Sequence, residues 1–436
     1  MLLQLIRSAD IKTAFLNSEV NRDIYLGVPE GFEKIFPGAK VLKVNKAIYG
    51  AVDSPLRFFL TIYSTLQQFV GPDPNSELIQ NQADICSFTY LVNNQLHGCL
   101  GIHCDDFYIT GTQSFLTAFC EFLGTHYTIK VKTNPQKFLG CDLSYTNGSI
   151  LLNQRSFIDK LISKLGWNPD NIRPAYSPAP LAIPADWKQA DYASKNVPAT
   201  DILKLLGALI WLSTRSRPDI AYHVSVYAAM PHTELTLALL RFAIRYVFTT
   251  RDQGIIFHHE SDCQLSLFTD AALKISTQSG GVVYFGSTPI YWQSVKQQQY
   301  VNSSTVNAEM SALHLMSTTY LYIAAIIHYL TAADYSYPYQ VFVDNKPLQH
   351  RLHGRRQFTE VPDRIPKYYE LANWFNEPNQ QLKLNHIQGK HNPADLFTKV
   401  LSPSTIKLYA KYINLGTLTT RPFNVKSLFQ YTDLQA

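Results

Sequence analysis

The run Leu100-Gly-Ile-His-Cys-Asp-Asp-Phe-Tyr-Ile-Thr-Gly111 constrains this chain most, because apolar and aromatic residues flank two adjacent acids, Asp105 and Asp106. The flanks suit two β-strands, and Asp is a favoured turn residue. The run therefore predicts a β-hairpin with both carboxylates at its apex. Paired carboxylates are hard oxygen ligands of the kind that Mg²⁺ prefers. A solvated surface turn has the same local pattern, so the run alone leaves both interpretations open.

The composition is that of an ordinary globular protein of two or three domains, with 436 residues of which 46% are hydrophobic and 16% charged. Six cysteines are scattered without a CxxC pair, which predicts a reducing compartment and gives no zinc signature. No signal peptide is recognisable at the N-terminus, and the longest apolar candidate, Leu321 to Leu330, has ten residues. We therefore expect no membrane partner.

The net charge of +5 is unevenly distributed along the chain. Residues 265–436 hold 15 Lys and Arg against 10 Asp and Glu, and subtraction from the totals of 38 and 33 leaves 23 against 23 before them. The whole basic excess thus lies in the C-terminal part. A mild excess of this kind permits a polyanionic partner without demonstrating one.

The first part of the chain alternates short strand patterns with two helical ones. A strand ends near Asp10 and leads into a helical turn, and a helix is predicted from about Leu56 to Phe69 after Ser54-Pro55. Hairpins are predicted around Asn93-Asn94 and Asn147-Gly148. The middle of the chain, from Ser156, is mostly helical with a Pro-rich linker at 168–187 and shows no catalytic constellation.

The last part predicts a mixed sheet flanked by helices, in the order β-β-β-α-β-α-β-α. Four acids occupy its element ends. Asp270 and Asp344 each end a strand, Glu309 lies in the first turn of a long helix, and Asp395 starts the last helix. Apolar neighbours surround each one, and acids in such surroundings carry a large desolvation cost unless they are paired or bound to a metal.

The order and spacing of four short motifs are informative. The motifs are Asp10-Ile-Lys-Thr-Ala-Phe-Leu-Asn, Ala47-Ile-Tyr-Gly-Ala-Val-Asp-Ser-Pro, Cys104-Asp-Asp and Phe138-Leu-Gly. Together they resemble the reverse transcriptase palm in the Pol polyproteins of copia-type LTR retrotransposons. The flanks Ser303-Ser-Thr-Val-Asn-Ala-Glu309, Asp344-Asn345 and Ala394-Asp-Leu-Phe-Thr-Lys399 resemble the ribonuclease H domain of the same polyproteins. The resemblance covers nearly the whole chain.

For the palm, the resemblance implies nucleotidyl transfer with two Mg²⁺, or Mn²⁺, on an RNA template and a DNA primer. Asp10 and Asp105 would bridge the metals and Asp106 would assist. Phe15 would lie under the incoming sugar as a steric gate against ribose, although an ordinary core aromatic fits the position too. Tyr49 and Gly50 would line the nucleotide pocket, or else form a simple strand-end turn.

For the ribonuclease H domain, the resemblance implies cleavage of the RNA strand of RNA–DNA hybrids. Asp270, Glu309, Asp344 and Asp395 would hold two Mg²⁺ that activate water and stabilise the leaving 3′-oxygen. His391, four residues before Asp395, would shuttle a proton or would be a loop histidine near phosphate.

The chain departs from the family pattern in three places. Only nine residues precede Asp10, where the fingers subdomain would lie. His103 stands where Tyr is usual, and Asp53 stands where a neutral polar residue is usual, so its charge would repel a triphosphate. We therefore expect the polymerase to be impaired and ribonuclease H to be the activity that survives.

These inferences predict an α+β protein in four parts: a truncated palm at 1–155, a helical thumb and connection at 156–262, a ribonuclease H-like domain at 263–410 and a tail at 411–436. The predicted function is that of a retrotransposon Pol fragment in the cytoplasm, inside virus-like particles of an active element, or in the nucleus. The alternative is a non-enzymatic, decayed or repurposed nucleic-acid-binding relic.

Overall fold

The structure is a computed structural model that describes residues 5–146, 148–180, 198–260, 263–273, 277–297, 305–332, 338–353, 365–376 and 380–432. Helices and mainly antiparallel sheets occur in separate stretches, which confirms the predicted α+β class. By their contacts the residues fall into two compact units. The first consists of Met1–Pro135 with Ala325–Asp334, and the second of Gln136–Ala324 with Tyr335–Ala436.

Eight strands belong to the first unit. They are β1 (Leu5–Ile11), β2 (Tyr25–Gly27), β3 (Val41–Lys43), β4 (Ser76–Gln80), β5 (Ser87–Val92), β6 (Gln95–His103), β7 (Asp106–Gly111) and β8 (Ile129–Thr133).

Ten strands belong to the second unit. They are β9 (Lys137–Phe138), β10 (Cys141–Thr146), β11 (Ser149–Asn153), β12 (Gly254–His258), β13 (Leu265–Ala272), β14 (Gln278–Phe285), β15 (Thr288–Lys296), β16 (Tyr339–Val343), β17 (Leu382–His386) and β18 (Leu415–Gly416).

The described α-helices are α1 (Ser54–Leu66), α2 (Gln113–His126), α3 (Arg155–Lys164), α4 (Ala199–Ser213), α5 (Ala221–Ala228), α6 (Glu234–Thr249), α7 (Thr305–Thr331), α8 (Lys346–His353), α9 (Ile365–Phe375) and α10 (Pro403–Tyr412). Short 3-10 helices lie between them, among them Ala14–Asn17, Pro218–Ile220, Pro393–Phe397 and Val425–Tyr431.

The first unit is built on an antiparallel sheet in the order β4-β5-β6-β7-β1-β8. Alternation along the strands sends one set of side chains into the core, including Ala9 and Ile11 of β1 and Phe107 and Ile109 of β7, all fully buried. The residues between them point to the other face, and Asp10 is one of these. The sheet therefore has one apolar face and one polar face.

Helices α1 and α2 contribute the apolar side chains that cover this core. Phe58, Ile62 and Leu66 of α1 recur at helical spacing and are buried, as are Phe115 and Phe119 of α2. Burying one such side chain stabilises the fold by about 1.5–3 kcal/mol. As predicted from Ser54-Pro55, α1 starts at Ser54. Helix α2 starts at Gln113 after the N-cap Thr112, whose hydroxyl accepts a hydrogen bond from the Phe115 N–H.

The second unit contains a helical core and two sheets. Helices α3 to α6 bury a continuous set of aliphatic and aromatic side chains, among them Leu209, Leu240 and Val247. One small sheet has the order β18-β12-β11-β10-β9 and is antiparallel throughout. The hairpin between β10 and β11 is present, although Asn147 of its predicted turn lies outside the described residues.

The other sheet of the second unit has the order β15-β14-β13-β16-β17. Strands β13, β14 and β15 are antiparallel neighbours, whereas β16 runs parallel to β13 and β17 parallel to β16. A parallel pair needs a crossover connection. Helix α7 supplies it here, because it lies between β15 and β16 in the chain. The predicted mixed sheet flanked by helices is thus confirmed.

Helix α7 is the one described helix that is long and apolar enough, by length and composition alone, to cross a membrane. The core helix of a soluble protein passes the same test, and the side chains of α7 from Val306 to Ala324 include eleven that are buried. Counting uninterrupted apolar residues missed this stretch, because Glu309 and several hydroxyl residues interrupt it.

Several sequence-based element predictions need correction. The last helix was predicted to start at Asn392-Pro-Ala-Asp395, but only a 3-10 turn, Pro393–Phe397, forms there, and the α-helix begins at Pro403. Helix α8 and strands β4, β8 and β12 were not foreseen. Residues 181–197 of the predicted linker and Ser303-Ser304 before α7 lie outside the described residues.

The predicted domain boundaries at 155 and 262 stay a prediction. The described contacts divide the chain at Pro135 instead, and they group the helical region with the mixed sheet. Within the second unit, the Trp292 indole of β15 donates a hydrogen bond to the carbonyl of Ser213 at 2.6 Å. The Gln278 amide of β14 donates to the Ser225 hydroxyl at 2.7 Å.

Candidate functional site

Three acids that are distant in sequence meet in the second unit. Asp270 lies near the end of β13, Glu309 near the start of α7, and Asp344 directly after β16. One oxygen from each of these carboxylates lies within 4.8 Å of the other two. Asp270 is 1% exposed and Glu309 6%. Among the described residues, these three acids form the group that could hold a metal ion.

Burial, together with repulsion by neighbouring acids, raises the pKa of all three carboxyls. Burial is the largest cause of the raised pKa of Glu309, and Asp270 and Asp344 add to it. For Asp270 and Asp344, burial again raises the pKa most, while the Lys399 ammonium opposes the rise. The Lys399 ammonium therefore balances only part of the negative charge of the three carboxylates, and a bound cation would stabilise their ionised forms.

Asp395 lies beside this group but is bound differently. Its Oδ1 lies 2.5 Å from the Lys399 Nζ, and its Oδ2 accepts a hydrogen bond from the Tyr409 hydroxyl at 3.2 Å. Burial and then Asp270 raise the pKa of Asp395 to about 6, against the opposite effect of Lys399. Lys399 also reaches Asp270, with 3.2 Å between its Nζ and Oδ2, and the Thr398 hydroxyl donates to that same oxygen.

A glycine brings the Asp395 segment against the sheet. Gly280 of β14 pairs with Asp270 of β13, and a Cβ at position 280 would lie 2.6 Å from the Cβ of Phe397. The 3-10 turn that carries Asp395 therefore packs directly on the strand. Its loop is held by Asn392, whose buried amide donates to the carbonyl of Thr269 at 3.0 Å.

The three converging acids fit Mg²⁺ or Mn²⁺. They offer only carboxylate oxygens, the donor type that these ions prefer. The Glu309 Oε2 is buried and has no hydrogen-bond partner within the described residues, so its desolvation cost is uncompensated without a cation. Asp270, Glu309 and Asp344 would hold the ion.

The palm acids gather at one end of the other sheet. Asp105 lies in the two-residue turn between β6 and β7, as predicted, and Cys104 beside it adopts a φ of 55°. Asp10 of β1 pairs directly with Asp106 of β7, so both side chains lie on the polar face. The N–H of Ile11 donates to the carbonyl of Asp105 at 3.0 Å, which fixes the hairpin tip to β1.

Electrostatics agree with this proximity. Burial raises the pKa of Asp106 most, and Asp105 and Asp10 raise it further, while His103 and Lys132 lower it. Asp10 itself is exposed. Among the described residues, these three acids do not form a group as compact as that around Asp270. Their assignment as metal ligands stays a prediction.

The predicted nucleotide-binding residues are adjacent. The rings of Phe15 and Tyr49 have centroids 4.8 Å apart, and Phe15 also meets the core residue Phe58 edge to face. Tyr49 is 58% exposed, and Gly50 follows it in a turn with a φ of 91°. Phe15 is thus partly buried at the rim of the core. This placement leaves both the steric-gate and the core-aromatic interpretations in place.

Asp53 is not the free anion that the sequence suggested. Its carboxylate lies 3.6 Å from the guanidinium of Arg22 and 4.0 Å from that of Arg57. These two cations reduce the repulsion that Asp53 would exert on a triphosphate.

His391 is stacked face to face on Tyr431, with ring centroids 3.5 Å apart, and its Nδ1 lies 3.3 Å from the Tyr412 hydroxyl. Burial and the nearby Lys390 lower the pKa of His391. Sequence reasoning missed Tyr431, Tyr409, Thr398 and Lys399. The spacing of Asp395 and Lys399, four residues apart, was the one available signal for the last.

Fold and acids together define a two-unit α+β protein with a compact group of carboxylates in its second unit. Residues 3–179 match the family described as reverse transcriptase (RNA-dependent DNA polymerase). Over 94% of its length the chain is similar to retrovirus-related Pol polyproteins from transposons. It is 26% identical to that of transposon RE1 of Arabidopsis thaliana, 24% to that of TNT 1-94 of Nicotiana tabacum and 25% to that of RE2 of Arabidopsis thaliana.

These matches confirm the resemblance that the motifs predicted. Residues 3–179 match the reverse transcriptase family, within a chain that is similar along nearly its whole length to transposon Pol polyproteins. The chain spans 27%, 31% and 28% of the length of these three relatives, in the same order.

Proposed function

We propose that this chain is the reverse transcriptase and ribonuclease H part of a retrotransposon Pol polyprotein, and that its second unit cleaves the RNA strand of RNA–DNA hybrids. The observation that carries the proposal is the convergence of Asp270, Glu309 and Asp344 on a mixed sheet. These three acids lie after the segment 3–179 that matches the polymerase family.

Each residue of the site has a distinct task in this proposal. Bound Mg²⁺ supplies a polarised water and stabilises the charge on the leaving oxygen. Asp270, Glu309 and Asp344 would hold the ion, with the first two buried and Asp344 the most accessible of the three. Asp395 is held by Tyr409 and Lys399 beside them.

An RNA–DNA hybrid suits this site electrostatically. The basic excess of the chain lies in residues 265–436, and the phosphates of a duplex are the groups that such an excess attracts. A hybrid of A-like shape is recognised through phosphates and 2′-hydroxyls, so we expect little sequence preference. Binding should weaken as salt rises, because phosphate contacts release counterions.

The first unit would carry nucleotidyl transfer on an RNA template and a DNA primer. Asp10, Asp105 and Asp106 would hold the metal ions on the polar face of the sheet, with Phe15 and Tyr49 under the incoming nucleotide. The family match and the pairing of Asp10 with Asp106 support this part of the proposal.

Cleavage of a labelled RNA–DNA hybrid by the full chain in Mg²⁺ tests the proposal. The wild type should release RNA fragments, and Asp344→Asn should cut at least 100-fold more slowly, because it removes one charge from the metal site. Hybrid binding should change less than about threefold, since other residues contact phosphate. Asp170→Asn, an exposed acid outside the site, is the matched control and should cut like the wild type.

Two results would contradict the proposal. Folded wild-type protein that binds hybrid but cuts nothing would favour the non-enzymatic relic instead. Equal cleavage by Asp344→Asn and the wild type would remove this site from the reaction.

A further inference from the structure

The Lys399 side chain is 39% exposed, yet its ammonium group contacts two acids of the cluster. Its Nζ is 2.5 Å from the Asp395 Oδ1 and 3.2 Å from the Asp270 Oδ2. Asp270 also belongs to the trio that could hold a metal ion, whereas Asp395 does not. One ammonium group therefore bridges an acid of the trio and the fourth acid.

The backbone holds Lys399 in this position. Its N–H donates to the carbonyl of Asp395 at 3.1 Å, so the lysine sits one turn after the acid that it binds. Thr398 next to it is 1% exposed and donates to Asp270 Oδ2. Thr398 and Lys399, which are adjacent in the chain, thus both contact the Asp270 carboxylate, and Lys399 also contacts that of Asp395.

The ammonium uses the oxygens that a second ion would need. A divalent ion between Asp270 and Asp395 would coordinate the facing oxygens, and Lys399 contacts one on each residue. The remaining oxygen of Asp395 accepts the hydrogen bond from Tyr409. By contrast, the Glu309 Oε2 has no hydrogen-bond partner among the described residues.

We propose that Lys399 is a built-in counter-ion that occupies the place of the second divalent ion, so that the protein without substrate binds one ion at Asp270, Glu309 and Asp344. The second ion enters only when the ammonium is displaced, and the displaced Lys399 is then free to contact the phosphate of the substrate. This inference rests on the proposed function, because it concerns the metal site of the same reaction.

Counting bound Mn²⁺ on the full chain tests the inference without any cleavage assay. In calorimetric titrations, or by the loss of the free-ion electron paramagnetic resonance signal, the wild type should bind one ion that Asp344→Asn fails to bind. Ions at Asp10, Asp105 and Asp106 are unaffected by that variant and are subtracted in this way. Lys399→Met should bind one ion more than the wild type at this site, with an affinity at least tenfold higher than any second ion shows in the wild type. Lys399→Arg keeps the positive charge and should behave like the wild type. Lys407→Met, an exposed lysine of α10, is the matched control and should also bind one ion.

The outcomes separate this inference from the proposed function. If Lys399→Met folds and binds ions with the wild-type number and affinity, the role of Lys399 is wrong while the cleavage proposal stands. If Lys399→Met does not fold, Lys399→Gln serves in its place. It removes the charge but keeps a polar side chain, and it should also bind one ion more than the wild type. A folded Lys399→Gln protein with the wild-type number of ions would contradict the inference. If the wild type and Asp344→Asn bind the same number of Mn²⁺ ions with the same affinity, the metal site itself is refuted.

Discussion

The buried Glu309 should destabilise the metal-free protein, and Glu309→Gln should therefore stabilise it. Its carboxylate lies within 4.8 Å of oxygens on Asp270 and Asp344. At an effective dielectric constant of about 20, two unit charges about 5 Å apart repel by roughly 3 kcal/mol, so two such neighbours give an upper limit of about 6 kcal/mol. Protonation and the Lys399 ammonium relieve much of this repulsion. We expect a net gain of about 1–3 kcal/mol from the amide.

The gain should depend on pH in a defined direction. The pKa of Glu309 is raised in the folded protein by burial and by its acidic neighbours, so ionisation favours the unfolded chain. The cost to folding appears as the pH rises above the carboxyl pKa of the unfolded state and disappears below it. The difference in unfolding free energy between variant and wild type should accordingly be larger at pH 7.5 than at pH 4.5.

Urea denaturation followed by tryptophan fluorescence, in EDTA and in Mg²⁺, measures both effects. A ligand at 100 times its Kd stabilises the folded state by about 2.7 kcal/mol, so the wild type should gain about this much in saturating Mg²⁺ and Glu309→Gln much less. Glu370→Gln is a matched control at an exposed position that pairs with His314. A Glu309→Gln protein that is less stable than the wild type in EDTA, yet equally stabilised by Mg²⁺, would refute the reasoning.

Three further predictions concern other parts of the chain. Arg217→Met should destabilise the second unit by about 3–5 kcal/mol in urea denaturation, because it leaves the fully buried Asp219 carboxylate without its bidentate partner; a loss below 1 kcal/mol would contradict this. Burial lowers the pKa of His223 to about 4, so stability should fall by up to about 3 kcal/mol as the pH drops from 6.5 towards 4, and His223→Gln should lose this part of the pH dependence; an unchanged profile would show that the histidine is not the cause. In primer extension on an RNA template by the full chain, Asp53→Gln should change the rate little, because Arg22 and Arg57 already pair with the acid; a large gain in the variant would overturn this expectation.

Local patterns predicted the palm hairpin and the mixed sheet well. Alternating apolar residues around Asp105-Asp106 indicated two strands and a turn, and the structure has β6 and β7 with the acids at their junction. The register could not be read from the sequence. That Asp10 pairs with Asp106 depends on how β1 enters the sheet between β7 and β8, and β8 was itself not foreseen.

The cluster around Asp270 was only partly predictable. The apolar neighbours of each acid indicated burial, and three of the four predicted acids do converge. Asp395 was predicted at the start of a helix as an equal member. It lies in a 3-10 turn, because Pro393 and the close approach to Gly280 shape that segment, and it is tied to Lys399 instead. Such pairing is decided by packing between distant segments, which single-sequence patterns do not encode.

The parallel pairing of β13 with β16 has a consequence for how the protein matures during synthesis. Antiparallel neighbours such as β13 and β14 can pair as soon as both are made, whereas β16 must wait for the whole of α7. Pairings between such distant segments form slowly, because a long loop must close first. Asp270 therefore stays apart from Asp344 until the crossover is finished, and ion binding should appear late in refolding, after most helical structure has formed. The acids of the nascent chain would thus bind a cation only near the end of folding. At low concentrations of divalent ions, the last step, in which this sheet is completed, should be slower.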